Sequence, residues 1–440
     1  MHLIRLLSIA LILTLVAGAP VRALTLLRDP DIEYALKQLA APVLKAAGLS
    51  PSRMDILIID DRSLNAFVVD RSAIFIHSGL LLKMQNAEML QAVLAHEAAH
   101  IANGHLVRRP IALRNARTAA GLGAVLAGAA VAVSGNGQAA AAAAAGASNT
   151  ALRLLMVHTR AEENAADQSG MRYLAGAGIN PQGMVQVMEI FRGQEALSVS
   201  RQDAYARTHP LSSDRYRVLQ RLAAGYADRA RKDPNADYWF ARAKSKLSAF
   251  ERSPKWTLNR AGEYGYKDVK LMRQAVAWHR QSNLRKSLPA IDGAISLRPK
   301  DPFLHELRGQ ILMESRQIKP AVAAYARSTN LAPNNPLILG AYGRALLADG
   351  QVKKATQVLE KARARDGRDA RVLRDLAAAH AKQGNNGMAS VLTAERYAMG
   401  GRIKDAGIHA QRASGLLPRG SAAWQRAQDV LSASEAAAKK

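Results

Sequence analysis

The strongest constraint on what this chain can fold into is a 34-residue period in its second half. Ala275, Gly309, Gly343 and Ala377 fall 34 residues apart, as do Ala321, Ala355 and Ala389. Leu297-x-Pro299-x-x-Pro302 returns as Leu331-x-Pro333-x-x-Pro336, and Gly350 returns as Gly384. Small residues at a fixed place are needed where two helices cross closely, and the prolines sit at the ends of each pair. Units of this length cannot bury their apolar faces alone, so they stack into a curved superhelix with a concave binding face. The spacing predicts an α-α repeat domain over 237–440. Residues 237–265 read as helical but off the register, an atypical capping pair, and the segment from Pro418 to Trp424 departs from the period.

The first half is organised around Leu94-Ala95-His96-Glu97-Ala98-Ala99-His100, a His-Glu-x-x-His pattern in an apolar run free of Gly and Pro. Residues four apart share one helix face, so His96 and His100 can offer two imidazoles to one metal ion. Glu97, one step round the helix, can reach a water at that ion as general base. A third ligand is expected from Glu163, with Asp167 on the same face four residues later. Two His and a Glu with one open position form a catalytic zinc set. Asp167 then serves as the carboxylate that accepts the other ring N–H of a zinc-bound histidine. The competing reading of Glu163 and Asp167 is a solvated acidic helix face. His105 lies five residues past His100, on a neighbouring face, and reads as a packing or capping residue. His77 reads as a side chain on a strand face.

Taken with Glu163-x-x-x-Asp167 and with His209-Pro210-x-x-x-x-Arg215, the His-Glu-x-x-His pattern resembles the zinc endopeptidases related to HtpX and the CAAX prenyl protease. The 34-residue period resembles tetratricopeptide repeats, and the combination is similar to a periplasmic branch of those peptidases. The resemblance implies a mainly α protein: a zinc metallopeptidase domain of helices with a small β-sheet, followed by a tetratricopeptide superhelix. It also implies that His209 sits over the metal, either closing the fourth zinc position at rest or stabilising the oxyanion. Arg215 would hold that loop or contact the transition state. The implied work is hydrolysis of protein substrates in outer-membrane protein quality control and assembly. The implied partners are unfolded or misassembled outer-membrane proteins and the barrel-assembly machinery, met through the repeats. A non-proteolytic chaperone or scaffold with a structural zinc is the alternative, and Glu97 argues against it.

Residues 1–23 read as a signal peptide: Arg5 precedes an apolar core from Leu6 to Ala17, and small residues at Val21 and Ala23 suit cleavage. The chain has no Cys, hence no lipoprotein attachment site and no disulfide. Asp233-Pro234-Asn235 marks the expected boundary between a 24–233 peptidase domain and the repeats. Within the first, Asp31 to Gly48 and Gly183 to Phe191 read as helices. Met54 to Asp60 and Ser72 to Ser78 read as strands, and the resemblance makes the region around Asn65-Ala66-Phe67 a sheet edge that pairs with an extended substrate.

An Ala- and Gly-rich stretch is expected to form a helical hairpin over 111–160. At about 1.5 Å per residue its first uncharged arm reaches about 22 Å, short of a bilayer core of about 30 Å. Two readings stay open: it packs on the catalytic domain, or it dips into a membrane surface. The net charge of +26 becomes +24 once Arg5 and Arg22 leave with the signal. That surface suits anionic headgroups or acidic polypeptides, and export argues against nucleic acid.

Overall fold

Four short strands make one sheet: β1 (Leu26–Leu27), β2 (Asp55–Ile59), β3 (Ala66–Val68) and β4 (Ala73–His77). The computed structural model describes residues 25–106, 160–198, 201–210 and 212–438. The expected signal peptide and all of the expected hairpin before residue 160 lie outside them. The sheet order is β1-β2-β4-β3, with β2 parallel to β4 and β3 antiparallel along its outer side. The two expected strands are therefore β2 and β4. The Asn65-Ala66-Phe67 region supplies the edge.

Helix α1 (Pro30–Ala46) starts at Asp29, whose side chain accepts the N–H groups of Asp31 and Ile32, with Pro30 preset at the first helical position. It stops before Gly48, at a φ of +71° that a glycine adopts without steric cost. Its apolar stripe of Ile32, Leu36, Leu39 and Val43 joins Ile56, Ile58, Ile74 and Ile76 of the sheet in one core. Burying each such side chain contributes roughly 1.5–3 kcal/mol. After α2 (Ser78–Lys83) comes α3 (Ala87–Ala102), N-capped by the Asn86 side chain on the Met89 N–H. From Met89 to Ile101 every residue of α3 is buried, as expected of a helix that is apolar nearly all round.

Small residues then let two more helices close on α3. In α4, over residues 160–176, a Cβ at Gly170 would come within 2.8 Å of the Met184 methyl. In α5 (Gln182–Ile190), a Cβ at Gly183 would sit 2.4 Å from the Glu88 carbonyl oxygen. Helices α6 (Ala204–Thr208) and α7 (Ser213–Gly225) complete this part.

The expected boundary residue Asp233 is the N-cap of α8 (Pro234–Glu251). Ala236, Phe240, Ala243 and Leu247 of that helix enter the core of α1 and α3. Its buried Arg242 donates through Nε to Asp31 (2.7 Å) and through both Nη atoms to Asp301, while Lys246 lies 2.9 Å from Asp29. Helix α8 thus belongs to the same core as α1 and α3 and is tied, through Asp301, to the start of the repeats. Residues 26–365 form one compact unit, and residues from 366 onward fall in a second.

After α9 (Pro254–Asn259) the repeat begins, with the pairs α10 (Lys267–Arg280) and α11 (Leu284–Leu297), α12 (Pro302–Glu314) and α13 (Ile318–Leu331), and α14 (Pro336–Ala348) and α15 (Val352–Arg365). The second unit holds α16 (Ala370–Lys382), α17 (Asn386–Met399), α18 (Ile403–Leu416) and α19 (Ala422–Ala438). The period has a physical basis at two points. Asp301, Asn335 and Asp369, 34 residues apart, each cap the first helix of a pair with the side-chain oxygen. A Cβ at Gly309 would lie 2.9 Å from the Tyr325 ring, and one at Gly343 would lie 2.5 Å from Leu359, so these two crossings are fitted to glycine. No helix among the described residues is long and apolar enough to cross a membrane.

Candidate metal centre

His96 and His100 stand one turn apart on α3, and their Nε2 atoms converge to 3.1 Å. Helix α4 runs against the same face and brings in Glu163, with Oε2 3.2 Å from His96 Nε2 and Oε1 3.3 Å from His100 Nε2. The fourth member is His209, just after α6, whose Nδ1 lies 3.1 Å from Glu163 Oε2 and 3.2 Å from His96 Nε2. One ligand atom from each of the four residues lies within 4.8 Å of the others, and all four residues are buried. Donors held at about 2.0–2.1 Å in a tetrahedron are separated by about 3.3–3.4 Å. The contacts of 3.1–3.3 Å fit an ion of that size, and three nitrogens with one carboxylate are a donor set that takes it.

The partners behind these donors hold them in place. His96 turns its Nδ1 to Asp167, at 3.0 Å. Asp167 in turn accepts from Arg215 Nε (2.7 Å) and Nη2 (3.0 Å). The same guanidinium lies 3.3 Å from Glu163 Oε2 and donates through Nη1 to the Pro210 carbonyl, next to His209. Arg215 therefore contacts both carboxylates and the His209 loop at once.

Charge in the pocket follows from these bonds. Burial opposes protonation of His96, but its hydrogen bonds to Asp167 and Glu163 push its pKa up to about 10. Burial pushes His100 the other way, down to about 3, and its bond to Glu163 offsets only part of that. Burial would raise the Glu163 carboxyl, yet His209 and the hydrogen bonds of the three histidines hold it well below the usual carboxylate range. Asp167, also buried, is held low by Arg215 and His96.

Glu97 is fully buried next to this cluster, with Oε1 3.4 Å from His209 Nε2. The edge strand is equally close: His209 Nε2 lies 3.3 Å from the Ala66 carbonyl oxygen, and the Tyr205 N–H donates to the Leu64 carbonyl at 2.9 Å. His96, Glu97, His100, Glu163, Asp167, His209 and Arg215, the residues singled out in the sequence, thus meet at one place. His77 does not join them; it bonds Ser63 Oγ at 2.9 Å on the last residue of β4.

Two contacts were not foreseen. His105, read as a packing residue, places its Nδ1 2.9 Å from His100 Nδ1. Its one sequence clue is the helix stop Asn103-Gly104 before it, which cancels the helical register. Tyr205 tilts against the His209 ring with centroids 4.5 Å apart, and nothing in its spacing announces it.

A buried carboxylate beside a convergent His/His/Glu donor set, under an edge strand, defines a metalloendopeptidase. Residues 27–223 match the model of Peptidase family M48. The beta-barrel assembly-enhancing protease of Escherichia coli K12 is 23% identical over 405 residues, covering 90% of this chain and 81% of that one. A Vibrio cholerae counterpart is 28% identical over 218 residues, covering 50% of this chain and 44% of its own length. Among solved structures, a tetratricopeptide repeat protein with an unusual peptide-binding site, YrrB, overlaps 39% of this chain and 91% of its own at 14% identity, with a TM-score of 0.32.

Proposed function

We propose that this is an exported, zinc-dependent endopeptidase of the periplasm that hydrolyses outer-membrane protein precursors. The observation that carries the chemistry is the convergence of His96, His100 and Glu163 beside buried Glu97. The assignment to outer-membrane proteins draws on the name of the Escherichia coli relative and on its coverage of most of this chain. The repeats would receive misassembled clients and the barrel-assembly machinery.

His96, His100 and Glu163 would hold the ion, and nitrogen-rich ligation with one carboxylate favours zinc. Zinc bound there supplies Lewis acidity that polarises the scissile carbonyl and makes water acidic. Glu97 takes the proton of the attacking water and returns it to the leaving amine. An extended substrate pairs with β3, the outermost strand of the sheet among the described residues. Asp167 keeps His96 oriented, and Arg215 keeps Asp167 ionised and the loop seated.

His209 is assigned the resting role. Its Nε2 faces two acceptors, Ala66 O and Glu97 Oε1, so that nitrogen carries the hydrogen. Nδ1 then turns a lone pair toward His96 and Glu163, where it would serve as a further ligand to an ion held by the cluster. The segment also covers the carbonyl acceptors of Ala66 in β3 and of Leu64 just before it. A client has to displace α6 and His209 before it can be cut.

The test is zinc analysis and casein cleavage for wild type and Glu97→Gln. The variant should keep zinc and lose hydrolysis, since only the proton acceptor changes. His96→Ala, His100→Ala and Glu163→Ala should each lose the metal. Wild-type proteolysis by Glu97→Gln would sink the mechanism and favour a scaffold.

A further inference from the structure

Helix α3 ends at Ala102, and Gly104, at a φ of +72°, turns the chain back on itself. The turn returns His105 to the side of His100 opposite the donor cluster. Its ring meets the His100 ring edge-on, centroids 4.9 Å apart, and it is 2% exposed. The two Nδ1 atoms lie 2.9 Å apart. Ring nitrogens at that distance share one hydrogen, so one donates and the other accepts. His100 Nε2 faces His96 and Glu163, and a ligand nitrogen must present a lone pair. The hydrogen of His100 is therefore on Nδ1, and His105 is its acceptor.

We infer that His105 is a positioning residue for the metal centre, fixing the tautomer and ring plane of His100 as Asp167 fixes those of His96. The inference rests on the proposed metal site. The two supports differ in kind. His96 leans on an ionised carboxylate, which raises its basicity, whereas His100 leans on a neutral imidazole, which orients it without adding charge. Both imidazoles of the His-Glu-x-x-His pair are then held from behind, one by a distant helix and one by the segment just past the turn that ends their own.

The experiment measures zinc affinity of the full chain by chelator competition, with casein cleavage alongside. His105→Leu keeps apolar volume and removes the acceptor; His105→Asn puts a side-chain oxygen near the place of Nδ1. The leucine variant should bind zinc about 10–100-fold more weakly, and the asparagine variant should recover most of that loss. Unchanged affinity in His105→Leu, or equal loss in both, would overturn the positioning role. His100→Ala is the control: if it too binds zinc like wild type, the metal site itself fails. If His100→Ala loses zinc while His105→Leu keeps it, only the role of His105 fails. Should the leucine variant not fold, nitrogen-15 spectra of histidine-labelled, zinc-loaded wild type decide. A neutral His105 with its hydrogen on Nε2 supports the inference, and a hydrogen on Nδ1 overturns it.

Discussion

His209 Nδ1 lies 3.1 Å from Glu163 Oε2, although 46 residues separate the two in the chain. The contact puts a histidine of a short loop segment against a carboxylate of the α4 helix, inside the donor cluster. If that histidine closes the fourth zinc position, then His209→Ala should retain zinc and raise basal casein cleavage without any added partner. A fall of about 10²–10³-fold would instead give His209 the oxyanion role. An unchanged rate would leave it an ordinary loop residue.

Asp167→Ala removes the acceptor behind His96 while leaving all four donors of the cluster in the chain. Zinc affinity or turnover should fall about 10–100-fold. Chelator competition on the purified full chain checks this, and equality with wild type on both measures would return Asp167 to a passive helix face.

Arg215→Met tests a different link. It leaves Asp167, whose side chain is 5% exposed, without its guanidinium partner. Breaking one side of a buried pair costs about 3–5 kcal/mol, so the thermal midpoint of the zinc-loaded protein should drop clearly. A midpoint equal to wild type would mean the pair is not closed in solution.

The packing of α8 dictates where the chain can be cut. A protein ending at Asp233 loses Ala236, Phe240, Ala243 and Leu247 from the catalytic core and should not fold stably. One ending at Arg365 keeps the first compact unit whole. It should bind zinc and cleave small peptides, while attack on large clients falls. Circular dichroism and zinc content compare the two truncations; equal behaviour would detach α8 from the core.

The sequence by itself determined the parts that repeat or that sit on one element. His96 and His100 are four apart, as are Glu163 and Asp167, and helical geometry alone makes each pair share a face. The 34-residue period predicts the helix pairs, because a small residue recurs where the two helices of a pair cross: Ala275, Gly309 against Tyr325, Gly343 against Leu359, and Ala377. Asp233 reads as a boundary for a sound local reason, since Asp-Pro begins a helix, but local signals carry no information about what that helix packs against.

Tertiary structure alone decided the rest. Arg215 reaches Asp167, Glu163 and Pro210 because α7 ends up beside α4, a contact between residues 48 apart that no period encodes. His105 reaches His100 because Gly104 breaks the helix that would have carried it to another face. His209 lies under the β3 edge because a five-residue helix docks there through the Tyr205 N–H. Spacing fixes which residues share a face of one element. Which faces meet depends on burying the whole apolar core at once, and that is a property of the folded chain.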